Sequence, residues 1–432
     1  MKKIVIIGGG PAGIEAAKAA ARAGGEVTII SNEPIGGRAG WHSLLPSKVW
    51  LTAVENETKL VDPQAIVARI KTVKESWNGQ QQAELADLGV VILRGTAVFT
   101  SPHTVTISHD DGESSLTADS FIVATGSVPV FPPTMKPNGK NVLAPRFASA
   151  LNTLPPSVVV VGGGVTGTEF AYLFNRLGLD VTWVVDKVGV LPEFDAEAGQ
   201  VLADEMVARG VRLVVGHRAE RIDQIADGVS VVLTSGEAYL AAMAFLAIGR
   251  KPDVAGLNLE AAGAELPSHI YLVGDATGKP MIANRATAQA WAAGQAAAGQ
   301  TPISFSENTV IAAVYSEPQV AQVGQLSGDG IETVRVPFSA SLKGHLLPQG
   351  EAFVKLAYVG ENASTEPGLS AGTELGRSGR LVGAAAVGHH AADVLAPVMV
   401  AIQAGMTVQE LAALYAAHPT LSELAFAAAR AA

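Results

Sequence analysis

Short runs of apolar residues alternate with alanine-rich stretches of helical period through the first two-thirds of the chain. Ile4–Ile7 is apolar at every position, which suits a strand buried on both faces of a sheet. Ala12–Ala23 reads as the helix that follows, and Val27–Ile30 as the next strand. The same order returns at Val158–Val161, a helix from about Gly167 to Leu177, and Val181–Val185. Strand–helix–strand units of this kind predict parallel sheets with right-handed crossovers. Two of them in one chain indicate duplication of a single unit rather than a solenoid array. Pro129–Pro145, rich in proline, marks a boundary between the two, and the polar, glycine- and serine-containing stretch Glu361–Gly379 reads as an exposed hairpin or loop insertion without chemistry. The closing stretch, Ala391–Ala432, is helical and so apolar that it needs a cover, for which a second copy of the chain is the simplest.

Composition narrows the picture. A length of 432 residues points to two to four domains. With 48% apolar and only 16% charged residues, wholesale disorder is excluded. The net charge of −10 and the absence of basic clusters argue against nucleic acid or anionic lipid as a partner. The longest apolar stretch, Leu395–Met406, is about 12 residues, too short for a membrane span. The N-terminal run after two lysines is broken by three glycines and followed by Glu15, Lys18 and Arg22. It reads as a strand entering a helix, not a secretion signal, and a cytoplasmic protein is expected. There is no cysteine. That excludes disulfides, thiolate nucleophiles, iron–sulfur clusters and cysteine-held zinc.

The chemistry sits first in two glycine loops. Gly8-x-Gly10-x-x-Gly13 leaves the first strand and opens the first helix, and Gly162-x-Gly164-x-x-Gly167 does the same in the second unit. Glycines there permit a tight turn and let backbone amides at a helix N-terminus approach a pyrophosphate. Two such loops predict two bound dinucleotides. The acid that usually takes a ribose is displaced in the first unit, where the second strand ends at Ser31 with Glu33 two residues on. In the second, Val185 is followed by Asp186, which favours NADH because a carboxylate repels a 2′-phosphate; Lys187 beside it works the other way. Of His389, His390 and Asp393, only the last two share a helical face, so packing is expected there and no metal.

Further motifs carry a resemblance. Ala124-Thr125-Gly126 follows a strand, Ala247-Ile248-Gly249-Arg250 follows another, and Gly274-Asp275 precedes Pro280-Met281-Ile282-Ala283. Tyr315–Gly324 reads YSEPQVAQVG, and His418–Glu423 reads HPTLSE. Together with the glycine loops, these resemble the pyridine nucleotide–disulfide oxidoreductases over essentially the whole chain. The resemblance implies an α/β fold with two Rossmann-like dinucleotide-binding domains and a C-terminal α+β dimerisation domain. It divides the chain into 1–149 and 270–305 for FAD, 150–269 for NAD(H) or NADP(H), and 306–432 for the dimer contact. By position, Gly8, Gly10, Ala12, Gly13, Ser31, Glu33, Gly37, Arg38, Lys48, Ala97, Ala124, Thr125, Gly126, Gly274, Asp275, Met281, Ile282 and Ala283 would meet FAD. Gly162, Gly164, Thr166, Gly167, Val185, Asp186 and Gly249 would meet the nicotinamide nucleotide.

The resemblance fails at the redox centre. The family pattern has two cysteines between its Gly-Gly pair and Pro-Ser-Lys; here those positions are Ala39 and Leu44, between Gly36-Gly37 and Pro46-Ser47-Lys48. Without a disulfide to store electrons, a flavin must deliver them directly, and disulfide reduction is excluded. Lys48 and Glu169 match an ion pair beside the reactive flavin nitrogen, where a cation stabilises reduced flavin. His418 and Glu423 match a histidine–carboxylate couple that reaches across the dimer to a thiol; with no thiol, His418 either protonates a reduced acceptor such as a quinone or buttresses the interface. Arg38, Trp41 and His42 either grip an anionic or aromatic substrate or fill the space the bridge vacated. Val165 replaces an often aromatic lid over the nicotinamide pocket, and the connection Leu257–His269 is short for the family. The expected function is an FAD-dependent NAD(P)H dehydrogenase of the diaphorase or quinone-reductase type, working as a homodimer on a small-molecule electron acceptor. A pyridine nucleotide transhydrogenase, a flavoprotein exchanging electrons with a protein partner, and a non-catalytic FAD-binding sensor or structural dimer are the alternatives.

Overall fold

In a parallel sheet covered on both faces, the covered positions of a central strand must be apolar, and Ile4–Ile7 and Val158–Val161, all buried, follow that demand. The structure, a computed structural model, describes residues 1–56, 62–302, 305–347, 350–360 and 379–432. The insertion expected at 361–379 lies outside the described residues, apart from its last position. The chain divides into two compact units, 1–154 with 248–305, and 155–247 with 306–432.

The first unit opens with β1 (Lys3–Ile7), α1 (Pro11–Arg22) and β2 (Glu26–Ser31). The helix starts one residue before the apolar pattern indicates. Proline supplies the first helical position, where its missing amide costs nothing. β1 lies at the centre of a five-stranded sheet ordered Ile270–Leu272, Ser120–Val123, β1, β2, Val91–Arg94, with all neighbours parallel. Ile4, Ile6, Val27 and Ile29 pack toward α1 and the helix Ala283–Ala297. Val5, Ile7 and Ile30 pack the other way with Phe121 of the same sheet, onto Phe99 and Val105 of an antiparallel three-stranded sheet. The two helices touch through small residues: a Cβ on Gly294 would lie 2.5 Å from the Ala16 carbonyl. After β2 come the short α2 (Gly37–Trp41), then α3 (Leu44–Asn56) and the long α4 (Pro63–Asp87).

The second unit repeats the parallel motif. Its strands run Arg212–Val215, Asp180–Val185, Ser157–Val161, Met243–Leu246, and α5 (Val165–Arg176) follows the third of these. The same unit holds an antiparallel five-stranded sheet, ordered Ala312–Val314, Gln319–Gly324, Leu381–Gly388, Phe353–Val359, Ile331–Pro337. Helices Ala391–Gln403 and Glu423–Ala431 bury Val394, Leu395, Val398, Leu424 and Ala425 against it. Among the described residues no helix is long and apolar enough to cross a membrane.

A polar junction ties the two halves of this unit together. Asp195 caps α6 (Ala196–Ala208) by accepting the Ala198 amide at 3.1 Å, and its own amide donates to Gln322 Oε1 at 2.8 Å. Lys355 Nζ lies 3.0 Å from Asp195 Oδ1 and 2.7 Å from Glu197 Oε2, while Arg335 Nε takes the other Glu197 oxygen at 2.7 Å. The Lys355 and Asp195 side chains are only 14% and 12% exposed. Burial works against the Lys355 charge, but hydrogen bonds to Glu197 and Asp195 and their charges outweigh it, so its pKa is raised. Lys355→Ala leaves a largely buried carboxylate uncompensated and is expected to cost about 2–3 kcal/mol, read as a lower guanidinium midpoint. Because the folded pKa exceeds the ordinary 10.5, the deficit should hold through neutral pH and shrink only as pH rises past that value.

Candidate functional site

In the first unit, two of the three loop glycines are demanded by the protein's own packing. Gly8, at φ +114°, sits under Ala124, whose carbonyl a Cβ would strike, and a Cβ on Gly13 would strike the Gly8 carbonyl. A Cβ on Gly10 would meet nothing within 4 Å. It faces open space at the N-terminus of α1, where no side chain caps the helix and its first turn holds no acid. The positive end of that helix is left for an anion. Gly37 walls the loop, with its would-be Cβ 2.8 Å from Gly10 Cα.

Buried polar atoms without partners mark the same region. The Thr125 hydroxyl is buried and makes no hydrogen bond, and both carboxamide atoms of Asn78, against Gly36 and Gly40, are in the same state. Around Thr125 the polar groups are tightly engaged. Arg38 Nη2 donates to the Thr125 carbonyl at 2.8 Å and to Asp253 Oδ2 at 2.5 Å. Asp275, in the turn after Ile270–Leu272, accepts from the Ser127 hydroxyl at 2.5 Å, and that hydroxyl accepts from Arg250 Nε at 2.8 Å. Burial lowers the Arg250 pKa; Asp275 opposes the shift and Arg38 adds to it. A loop whose glycine faces open space, an uncapped helix end and a buried unpartnered hydroxyl together fit a flavin dinucleotide.

The remaining first-unit residues divide. The buried Ser31 hydroxyl donates to the Glu33 carbonyl at 2.7 Å, so it closes its own turn. Glu33 Oε2 lies 3.5 Å from His42 Nε2, and Trp41 Nε1 donates to the Ile35 carbonyl at 2.8 Å. Trp41 and His42 thus spend polar atoms on the turn itself. Ala39 and Leu44 fall on different helices, α2 and α3, with a break at His42–Ser43. Lys48 is half-buried on α3, and Ala97 is buried in the strand Thr96–Ser101. Gly126 and Gly249, both at positive φ, face open space, and Gly274, at φ +65°, donates its amide to Gln289 Oε1 at 2.9 Å. Met281 and Ile282 lead into the helix that Ala283 begins, again with no side-chain cap and no acid in the first turn.

The second loop repeats the first. A Cβ on Gly162 would strike the Ala247 carbonyl and one on Gly167 the Gly162 carbonyl, while Gly164 faces open space at the uncapped start of α5, beside Val165 and Thr166. Val185 is buried with its Cγ1 against Gly163. Asp186 accepts the Val188 amide at 3.0 Å through Oδ1, and Arg218 Nε lies 3.3 Å from its Oδ2. Glu169 is buried and accepts the Tyr315 amide at 3.1 Å. Burial, with Glu169 and Asp393 nearby, raises the Tyr315 phenol pKa. His418 Nδ1 donates to Glu423 Oε1 at 2.8 Å, and Glu423 Oε2 accepts the Thr420 amide at 2.9 Å. These bonds lower the Glu423 pKa, which keeps it an acceptor and fixes His418 with Nε2 turned away from the glutamate. His390 Nδ1 lies 3.3 Å from Asp393, and among the described residues no three or more His, Cys, Asp or Glu are grouped to hold a metal.

Asp253, Ser127, Asn78, Arg218 and Tyr315 were not legible as site residues. Asp253 meets Arg38 from 215 positions away. No spacing rule spans that distance, whereas Arg218 stands just past the end of a strand beside Asp186, a place the parallel-sheet pattern does indicate.

The signature of the pyridine nucleotide-disulphide oxidoreductases matches residues 2–297, and that of their dimerisation domain residues 374–429. An NAD(P)H dehydrogenase (quinone) of Mycobacterium tuberculosis strain H37Rv is 31% identical over 475 residues, covering 99% of this chain and 93% of its own. A dihydrolipoyl dehydrogenase of Chlorobaculum parvum is 31% identical over 459 residues, covering 97% and 94%. The crystal structure of LpdA from Mycobacterium tuberculosis superposes with a TM-score of 0.90 at 30% identity, covering 100% of this chain and 99% of that one. With both dinucleotide loops intact and no cysteine in 432 residues, this chain belongs to the pyridine nucleotide-disulphide oxidoreductase family as an FAD-dependent oxidoreductase without the redox disulfide.

Proposed function

We propose that the protein is an NAD(P)H dehydrogenase that reduces a quinone-type acceptor, NAD(P)H + H⁺ + quinone giving NAD(P)⁺ + hydroquinone. The observation that carries this is the pairing of two intact nucleotide loops with Ala39 and Leu44 at the positions of the redox cysteines. The relative named NAD(P)H dehydrogenase (quinone) supports the acceptor class. In this reading residues 1–149 and 270–305 hold FAD, 150–269 hold the nicotinamide nucleotide, and 306–432 form a homodimer contact. The exposed Leu346, Val400 and Tyr415 are apolar surface for such a contact. FAD supplies the two-electron relay between donor and acceptor. The uncapped ends of α1 and α5 hold the two pyrophosphates, and Asp275, fixed by Ser127, binds the ribityl hydroxyls. Lys48 would stabilise the negative charge of reduced flavin. His418, oriented by Glu423, delivers the proton that hydroquinone formation consumes.

Three outcomes follow. Anaerobic NADH should bleach the flavin fully at about one equivalent, because no second two-electron store exists. Complete bleaching only at about two equivalents, or none with either nucleotide, would overturn the assignment, and lipoamide and glutathione disulfide should not be reduced. His418→Gln should lower quinone turnover by roughly a hundredfold, the usual scale of a lost general acid. Ferricyanide, which takes electrons without a proton, should be reduced at the parent rate; equal losses with both acceptors would remove the proton role. Finally, Asp186 and Arg218 present both charge signs where a ribose 2′ group would lie. Both coenzymes should therefore be used, and Arg218→Ala should cut kcat/KM for NADPH about tenfold while changing that for NADH less than about threefold.

A further inference from the structure

Arg38 occupies the position just before Ala39, in the turn that lacks its disulfide. Three hydrogen bonds make a closed ring there. Arg38 Nη2 donates to the Thr125 carbonyl at 2.8 Å and to Asp253 Oδ2 at 2.5 Å, and the Asp253 amide donates to the Gly126 carbonyl at 3.0 Å. Two residues distant in sequence therefore hold consecutive carbonyls of one turn. The next residue, Ser127, joins the ring to a second guanidinium–carboxylate set, Arg250 and Asp275. Thr125, whose carbonyl the ring holds, has a buried, unpartnered hydroxyl, and Gly37, the neighbour of Arg38, packs on Gly10 of the phosphate loop. The clamp is thus built into the wall of the flavin cradle. The four side chains carry two positive and two negative charges, so each pair is balanced as it stands.

We propose that Arg38 and Asp253 form a charge-balanced clamp that positions the Thr125–Gly126 turn and sets the reduction potential of the bound flavin. The inference rests on the reading of this unit as an FAD site. Arg38 and Asp253 are 36% and 39% exposed, so their mutual attraction is partly screened, and the grip comes chiefly from the ring geometry. Removing one partner does something different: it leaves a single uncompensated charge at the cradle wall. A negative charge there disfavours reduced, anionic flavin and a positive one favours it.

The test is a spectroscopic redox titration of the purified FAD-loaded protein against a reference dye. Arg38→Gln strands Asp253 and should lower the potential; Asp253→Asn strands Arg38 and should raise it. Each shift should be at least tenfold in the oxidised-to-reduced ratio at fixed potential, about 30 mV for a two-electron couple. The double variant should return to within threefold of the parent. Arg38→Lys keeps the charge, so the potential should hold while FAD dissociates several-fold faster. A purely structural link would move both single variants the same way, and that result, or no shift in either, overturns the proposal. Should Arg38→Gln lose FAD on purification, Asp253→Asn decides alone: a rise supports the clamp and an unchanged potential removes it. A parent protein without FAD would sink the flavin reading and the clamp together, whereas unmoved potentials in a yellow protein sink the clamp only.

Discussion

A strand that runs straight into a helix leaves the helix's first amides pointing outward with nothing to bind, and the chain meets this twice in the same way. Glycine is required where the loop passes beneath a neighbouring carbonyl, at Gly8 under Ala124 and at Gly162 under Ala247. Glycine is again required where the helix crosses back over the loop, at Gly13 and Gly167. Those contacts press the helix N-terminus against the sheet edge, and neither α1 nor α5 spends a side chain on capping it. An uncapped, unneutralised helix end is a deficit to the apo fold and a binding energy to an anion. The placing of both open helix ends depends on that constraint.

Loss of the disulfide changes more than the chemistry. A half-cystine pair would fasten the turn after Gly37 covalently, and here weaker contacts share that task. Trp41 donates to Ile35, His42 lies beside Glu33, Lys74 sits 5.7 Å from the Trp41 ring, and Arg38 reaches Thr125 and Asp253. The segment is also two helices rather than one, since α2 stops at Trp41 and α3 begins at Leu44.

The second unit shows a different use of charge. Lys355 holds Asp195 and Glu197 in a largely buried setting, and Asp195 is at once a helix cap and an ion-pair partner. Charges removed from water need several partners each to be tolerated, and this junction supplies them from three strands of the antiparallel sheet. His418 and Glu423 are opposite in kind, an exposed imidazole on a carboxylate held low by its hydrogen bonds. One arrangement fixes the frame, and the other keeps a titratable group presented to the outside.

Much of this was legible in the chain alone, for identifiable reasons. The apolar runs at Ile4–Ile7 and Val158–Val161 dictate doubly covered strands, and glycine spacing marks the phosphate loops, because both are local consequences of backbone geometry. The absence of cysteine settles by itself that no thiol carries electrons. Other features required the tertiary structure. Ser31 turned inward onto Glu33, so the hydroxyl at the end of the second strand is already engaged. Asp186 acquired Arg218 as a neighbour, which tempers a preference that a lone carboxylate would impose. Arg38, which by itself reads equally as a substrate grip or as filler, has its guanidinium bound to Asp253, 215 positions away. Local pattern determines strands, helices and loops because those interactions span a few residues. Which charges meet is decided only when the folded chain brings distant segments to hydrogen-bond distance, and no periodicity encodes that.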